Sequence, residues 1–241
     1  MKILITNDDG IYAEGIIPLA QWAQKLGDVT VIAPKTEQSA KSHAIELRRA
    51  FEVQEITLFP GIRAYSVDST PADCIRFAVL GLKEHFDLVI SGINRGLNIG
   101  ADIMYSGTVA AVFEAGNLGI PAIALSTSPS YYPDAVKELD VVFDYVREHR
   151  LLDEYNMYNI NIPENPQGFR ITRQGGPYYS DDYLMQADGT ILPKGKSVFA
   201  PSGTMDLDTD AVLVGHYISV MPLANTRANL EVLQKLQHLN P

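Results

Sequence analysis

The stretch Lys2-Ile3-Leu4-Ile5-Thr6-Asn7-Asp8-Asp9-Gly10 joins a short apolar run to two adjacent carboxylates and a glycine. An apolar run of this length reads as a buried central strand. In an open parallel sheet, ligands collect at the carboxyl ends of the strands. Two acids held there are costly unless something positive offsets them. A hard divalent cation with oxygen ligands is the simplest candidate. The competing reading is a polar turn that caps the next helix, since Asp and Asn serve there too.

Outward from this strand, the first half of the chain alternates strands and helices. Ile16, Leu19, Ala20, Ala23 and Leu26 recur at helical spacing over residues 13–26, and Gly27 is the stop. Residues 29–33 read as a second strand ended by Pro34, and 35–42 as a polar loop. Residues 43–67 look extended, with a turn near Phe59-Pro60-Gly61. Thr70 followed by Pro71 is a good cap and first residue for a helix carrying Cys74, Ile75, Phe77, Ala78 and Leu82. Residues 87–91 form a further buried strand, and a glycine- and asparagine-rich loop follows. Ser106 or Gly107 starts a helix of small residues, 120–126 is a strand, and 133–149 is an amphipathic helix with Val136, Leu139, Phe143 and Val146 on one face. This alternation predicts an α/β fold, a mostly parallel sheet covered by helices on both sides.

After residue 156 the pattern changes. Residues 159–162 read as a strand that closes the main sheet, 211–221 as another strand and 226–238 as a final helix. Residues 170–204 hold Gly, Pro, Tyr and short β-like pieces. They read as an arm leaving the main domain, suited to subunit contacts. The whole of 1–241 is expected to be one domain with this arm and the C-terminal helix attached.

Composition narrows the function. The net charge is -10, from 29 acids and 19 bases, which argues against nucleic acid polymers and anionic membranes as partners. A local metal ion can still attract small phosphorylated ligands. No apolar run approaches the length of about 18 residues that a membrane span needs. No signal peptide is visible, and the single cysteine, Cys74, fits a reducing cytoplasm and reads as a buried structural thiol.

Three loops follow strands in the first half: 7–10, 34–42 and 92–108. In a parallel sheet all three emerge on one edge, bringing Asp8 and Asp9, then Ser39, then Asn94 and Asn98. Carboxylate, hydroxyl and amide oxygens suit magnesium or manganese, whereas zinc lacks a Cys/His cluster. Of five scattered histidines, His43 adjoins the Ser39 loop and is the one expected near the site. The loop at 91–100 contains G-x-x-x-G-x-x-x-G, which is not the dinucleotide fingerprint, and a nicotinamide cofactor is discounted. Tyr105-Ser106-Gly107-Thr108 at a helix start offers amides and hydroxyls to a phosphate. An ordinary Ser/Thr cap is the alternative there.

In order and spacing these segments resemble the SurE family of metal-dependent 5'-nucleotidases. The resemblance rests on Thr6-Asn7-Asp8-Asp9-Gly10-Ile11, Ala33-Pro34, Ser39 with His43, and Thr70-Pro71-Ala72-Asp73-Cys74. It continues through Ser91-Gly92-Ile93-Asn94 with Gly96, Asn98 and Gly100, then Tyr105 to Ala110, Asn161-Ile162-Pro163, Thr172 to Gly175, and Ile218 to Val220 with Pro222-Leu223. It implies a Rossmann-like three-layer αβα sandwich whose C-terminal β-rich extension serves oligomerisation, as a homodimer or homotetramer. It implies one divalent metal ion per subunit, Mg2+ or Mn2+, held by Asp8, Asp9, Ser39 and Asn94. Asp8 and Asp9 are then catalytic, and Asn98, Ser106, Gly107 and Thr108 match substrate-phosphate positions. The implied reaction is hydrolysis of nucleoside monophosphates to nucleoside and phosphate, with 3'-nucleotidase and exopolyphosphatase activities as further candidates. Many members carry Gly-His-Ser-Ile-Thr where this chain has Ser42-His43-Ala44-Ile45-Glu46. That departure touches substrate preference rather than the metal ligands.

Two other classes compete. A signalling receiver domain also opens with a strand and an acidic pair, but it needs a phosphoacceptor Asp at a later strand end, where this chain has Ala33-Pro34 and Ser91-Gly92. A non-catalytic nucleotide- or phosphate-binding protein on the same fold is the other, and phosphate release separates it from an enzyme.

Overall fold

The computed structural model describes residues 1–58, 60–132, 134–226 and 228–239. Strand β1 (Lys2–Thr6) leads through helix α1 (Ile16–Ala23) to β2 (Asp28–Pro34). The hairpin β3 (Val53–Ile56) and β4 (Arg63–Val67) comes next. Helix α2 (Pro71–Arg76), which passes into a π-helical turn over Phe77–Gly81, returns the chain to β5 (Leu88–Arg95). A 3₁₀ segment (Gly100–Tyr105), α3 (Gly107–Asn117) and β6 (Ala122–Thr127) follow. Then come α4 (Leu139–Glu148), the short α5 (Leu151–Glu154) and β7 (Met157–Ile162). The C-terminal part holds β8 (Phe169–Ile171), the two-stranded pieces β9 (Tyr179–Ser180) to β12 (Lys196–Ser197), α6 (Asp208–Leu213), β13 (Ile218–Pro222) and α7 (Leu230–Leu236). Within the arm, β10 (Tyr183–Met185) pairs with β11 (Ile191–Pro193).

Among the described residues nine strands form one sheet in the order β3-β4-β2-β1-β5-β6-β7-β13-β8. The run from β4 to β7 is parallel throughout. The chain moves to one side of β1 for β2 and to the other for β5, so the crevice between β1 and β5 is the switch point where such sheets bind ligands. Alternation along β1 divides the core. Ile3 and Ile5 pack with α1 and α4 residues such as Leu19, Trp22, Leu139 and Phe143. Leu4 faces α2 and α3 with Cys74, Ile75, Val109 and Val112. The result is the three-layer αβα arrangement expected from the sequence, with extra strands in the C-terminal part.

Several expected elements differ. The strand expected over 211–221 is helix α6 followed by β13. Acids at Asp208 and Asp210 in its first turn favour a helix, and His216 at φ 51 breaks the chain before the strand begins. Strand β7 does not close the sheet, because β13 pairs antiparallel to it and β8 adds beyond. Only 53–56 and 63–67 of the expected extended stretch 43–67 are strands, and Phe59 of its turn lies outside the described residues. The helix over 133–149 is a 3₁₀ turn at Ala135–Glu138 followed by α4, with Pro133 outside the described residues. The last helix is α7 with a 3₁₀ turn at Gln237–Leu239, and Arg227 lies outside the described residues.

Strand β5 also runs four residues further than expected, to Arg95, through a bulge between Ser91 and Asn94. Bulges re-aim side chains beside sites. Here the bulge pairs Asn94 with Ser126 of β6 at the sheet edge. Gly92 makes this bend at φ +142, and a Cβ there would stand 2.4 Å from the Leu125 carbonyl oxygen. Gly92→Ala is therefore expected to destabilise the protein by roughly 2 kcal/mol or more. Urea denaturation checks this, and an unchanged midpoint would show that the bend accommodates a side chain.

Candidate active site

The turn after β1 is built by its own asparagine. Asn7 accepts the Gly10 amide at 3.1 Å and donates to the Gly10 carbonyl at 2.9 Å, an Asx-type closure that turns the next two carboxylates outward. Loop 35–42 hangs on the same turn: the Gln38 amide donates to the Asp8 carbonyl at 2.7 Å and the Ile11 amide to the Pro34 carbonyl at 2.8 Å. Helix α3 arrives from the other side. Its first residue is Gly107, where a Cβ would come within 2.8 Å of the Asp8 Cβ. Only glycine lets the helix start this close to the acid.

Asp8 is buried and aimed at that helix start. The Thr108 hydroxyl donates to Asp8 Oδ1, and the amides of Gly107 and Thr108 face the same carboxylate. This is the helix N-terminal anion arrangement, with a protein side chain as the anion. Burial outweighs these donors and raises the Asp8 pKa. Asp9 is half-buried and accepts the Arg95 amide at 3.2 Å. Burial, followed by the Asp8 charge, pushes its carboxyl up to about 6. Neither acid is in an ion pair among the described residues.

Both open into a cavity of about 580 Å³ lined also by Ser39, Asn94, Asn98, Tyr105 and Ser106. The Asn94 Nδ2 donates to the Gly96 carbonyl at 2.8 Å, which leaves Oδ1 as its uncommitted oxygen. The Ser39 hydroxyl donates to Glu37 at 2.6 Å and keeps its lone pairs. Asn98 is held on all sides. Its amide donates to Asn161 Oδ1, its carbonyl accepts from both Asn159 and Asn161, and its Nδ2 donates to Ser126 at 2.8 Å. Ser106 caps α3 by accepting the Val109 amide at 3.1 Å.

The expected residues are therefore not all equivalent. Asp8, Asp9, Ser39, Asn94, Asn98 and Ser106 share one cavity. Gly107 and Thr108 lie behind it, with their donors spent on Asp8 rather than presented to the open space. His43 faces a neighbouring cavity that shares only the Tyr105 and Ser106 wall. There its Nε2 lies 2.9 Å from Glu114, which also accepts from Arg76 at 3.0 Å. The His43 and Arg76 partners hold the Glu114 carboxyl below its usual range against its burial.

Sequence reasoning missed Tyr12, Glu14, Glu37, Arg95, Asp102 and Tyr132, which complete the cavity wall. It also missed the asparagine pair that fixes Asn98. The signal was present in Asn159-Ile160-Asn161: two amides on one face of an otherwise apolar buried strand need partners. Asp208 escaped notice too. It accepts the Gly100 amide at 3.0 Å and the Gly175 amide at 2.7 Å, fastening the glycine loop to the C-terminal part.

Among the described residues no three His, Cys, Asp or Glu side chains come together at metal-binding spacing. The oxygen set of two acids, one hydroxyl and one amide fits a hard cation rather than zinc.

Comparison with known proteins shows the family and the fold. The family model described as "Survival protein SurE" matches residues 3–181. The chain is 37% identical to the 5'-nucleotidase SurE of Thermosipho africanus, across 98% of this chain and 96% of that one. It is 42% identical to the 5'-nucleotidase SurE of Clostridium beijerinckii across 77% of each. The crystal structure of the SurE protein from Aquifex aeolicus superposes with a TM-score of 0.79 at 30% identity, covering 99% of both chains.

The raised carboxyls contribute to the pH dependence of the metal-free protein. A carboxyl raised in the folded state stabilises fully below its ordinary pKa of 3.8, and that stability is lost as pH rises through about 6. Asp9→Asn should abolish most of this loss. With chelator at pH 7 the variant should be more stable than the parent by about 1–2 kcal/mol, after allowing for solvent screening at a half-exposed group. The two should converge near pH 4. Thermal melts across this range check it, and parallel pH profiles for the two proteins would refute it.

Proposed function

The chain belongs to the survival protein SurE family, and on that premise we propose that it is a 5'-nucleotidase: it hydrolyses nucleoside monophosphates to nucleoside and inorganic phosphate beside Asp8 and Asp9. The observation that carries this reading is the acid pair itself, two raised carboxylates that form no ion pair among the described residues and open into one cavity.

The same pair supports a divalent metal ion, magnesium or manganese, with Asp8, Asp9, Ser39 and Asn94 as its ligands. When bound, such an ion offsets phosphoryl charge and lowers the pKa of water. The protein's own groups do the rest. Asp8 is held by Thr108 and the α3 amides and is the fixed member of the pair. Asp9 has fewer donors and its carboxyl is pushed up to about 6, which suits it to take the proton of an attacking water. The water oxygen bonds to phosphorus, the phosphorus–ester oxygen bond breaks with its electron pair on the nucleoside oxygen, and that oxygen takes a proton from solvent while Asp9 returns its own to solvent. Asn98, locked by Asn159, Asn161 and Ser126, keeps the second hydrogen of its Nδ2 for the phosphoryl group without reorganising. Ser106 keeps a hydroxyl hydrogen for the same group while capping α3.

The arm and α7 support a homodimer or homotetramer. Tyr183, Leu184, Met185, Ile191 and Leu192 of the arm are exposed, as are Leu230, Val232, Leu233, Leu236 and Leu239 at the C-terminus. Apolar surface on this scale suits an interface. A cytoplasmic location is supported by the lone, fully buried Cys74. No helix among the described residues is long and apolar enough to cross a membrane.

A panel of 5'- and 3'-nucleotides assayed for phosphate release with magnesium and with manganese tests the activity. Asp8→Asn should lower kcat/KM by about a hundredfold or more with the fold intact. Release that persists unchanged in excess chelator and in the variant would overturn the metal-assisted reading. For assembly, sedimentation at micromolar concentration should show a dimer or tetramer, and Met185→Glu with Leu233→Glu should shift it to smaller species. A fully active monomer would refute the oligomer.

A further inference from the structure

Among the described residues the cavity wall contains five carboxylates, those of Asp8, Asp9, Glu14, Glu37 and Asp102, and one cationic side chain, Arg95. A phosphate monoester carries about -1.5 to -2 charge near neutral pH. A divalent cation would cancel only part of the wall's negative charge, and the remainder would repel the substrate. Arg95 stands at the point where that repulsion must be met. Its amide is bonded to Asp9 at 3.2 Å, so its Cα is fixed beside the acid pair. Its guanidinium lies 6.0 Å over the ring of Tyr132, within cation–π range. Tyr132 is itself anchored, because its hydroxyl accepts the Gly15 amide at 2.6 Å. Among the described residues the guanidinium forms no ion pair, although acids surround it.

We propose that Arg95 is the phosphate-binding cation of the cavity, engaging two oxygens of the substrate phosphoryl group and of the product phosphate while Tyr132 holds its side chain over the mouth. A guanidinium suits this role because its planar fork matches a tetrahedral oxyanion with two parallel hydrogen bonds. Arg95 forms no bond to phosphorus. The inference deepens the phosphoester-hydrolase reading and rests on it for the substrate, but binding of inorganic phosphate can be measured without turnover.

The test is calorimetric titration of inorganic phosphate into protein saturated with magnesium, for the parent, Arg95→Ala and Arg95→Lys, beside manganese titrations of the same three. Arg95→Ala should weaken phosphate binding about 10- to 100-fold, as expected for losing hydrogen bonds to a charged group. Arg95→Lys, which keeps the charge and loses the fork, should fall between. Manganese affinity should stay within about threefold, since Arg95 contributes no ligand oxygen. Added salt should weaken phosphate binding in the parent more than in Arg95→Ala. Phosphate binding unchanged in Arg95→Ala would overturn the proposal, as would a parallel fall in manganese affinity, which would make Arg95 a support of the acid pair. If the parent binds phosphate through Arg95 yet releases none from any nucleotide, the nucleotidase reading fails and the assignment of Arg95 stands.

Discussion

Two carboxylates held side by side at the end of the central strand are the constraint around which this protein is arranged. Like charges in adjacent, partly buried positions raise each other's pKa and cost stability unless opposed. The fold opposes one of them internally. The start of α3 is brought against Asp8 with no side chain at Gly107 to hold it off, and Thr108 and two backbone amides aim at the carboxylate. Asp9 receives a single amide and keeps its charge directed at the cavity. The asymmetry separates a fixed acid from an available one, the pattern by which two identical groups take different roles.

Holding the acids in place is not enough, because the other oxygen donors come from loops. Each loop is tied to a rigid element. The 35–42 loop is bonded to the Asp8 and Tyr105 carbonyls through Gln38 and Ser42. The glycine loop is bonded through Asn98 to Asn159 and Asn161 of β7, and through Gly100 to Asp208 of α6. The C-terminal part therefore braces the cavity from behind. The arm reaches it as well: the Tyr179 amide faces Asp102 in the cavity wall, and burial raises that acid. The exposed arm and the cavity wall are thus joined through one piece of backbone.

Much of this was legible in the sequence for local reasons. The run Ile3-Leu4-Ile5 has no stable place except inside a sheet. Acids at a strand end, Thr70-Pro71 and Ser106-Gly107 mark turns and helix starts through hydrogen bonding that spans only a few residues. The strand–helix alternation then implies a parallel sheet, because parallel neighbours need crossovers. The expected strand over 211–221 failed for the complementary reason. Ala211, Val212 and Leu213 are apolar enough for either state, and the helix start is held by Asp208 bonding to Gly100 and Gly175 across the chain and by Asp210 bonding to Ser202 and Gly203 in the preceding turn.

The sequence by itself determined which residues carry the oxygen donors and which end of the sheet presents them, since both follow from element order and alternation. Only the tertiary structure decided how those donors are spent. Thr108 and Gly107 look like groups for a bound anion, but Asp8 occupies their donors, and His43 is turned toward Glu114 in a neighbouring cavity. Arg95, unremarkable between Asn94 and Gly96, becomes the one cation of an acidic wall among the described residues, with the ring of Tyr132, from the segment after β6, packed beside it. Those assignments depend on contacts between residues far apart in the chain, where packing and charge, rather than any local pattern, determine the partner.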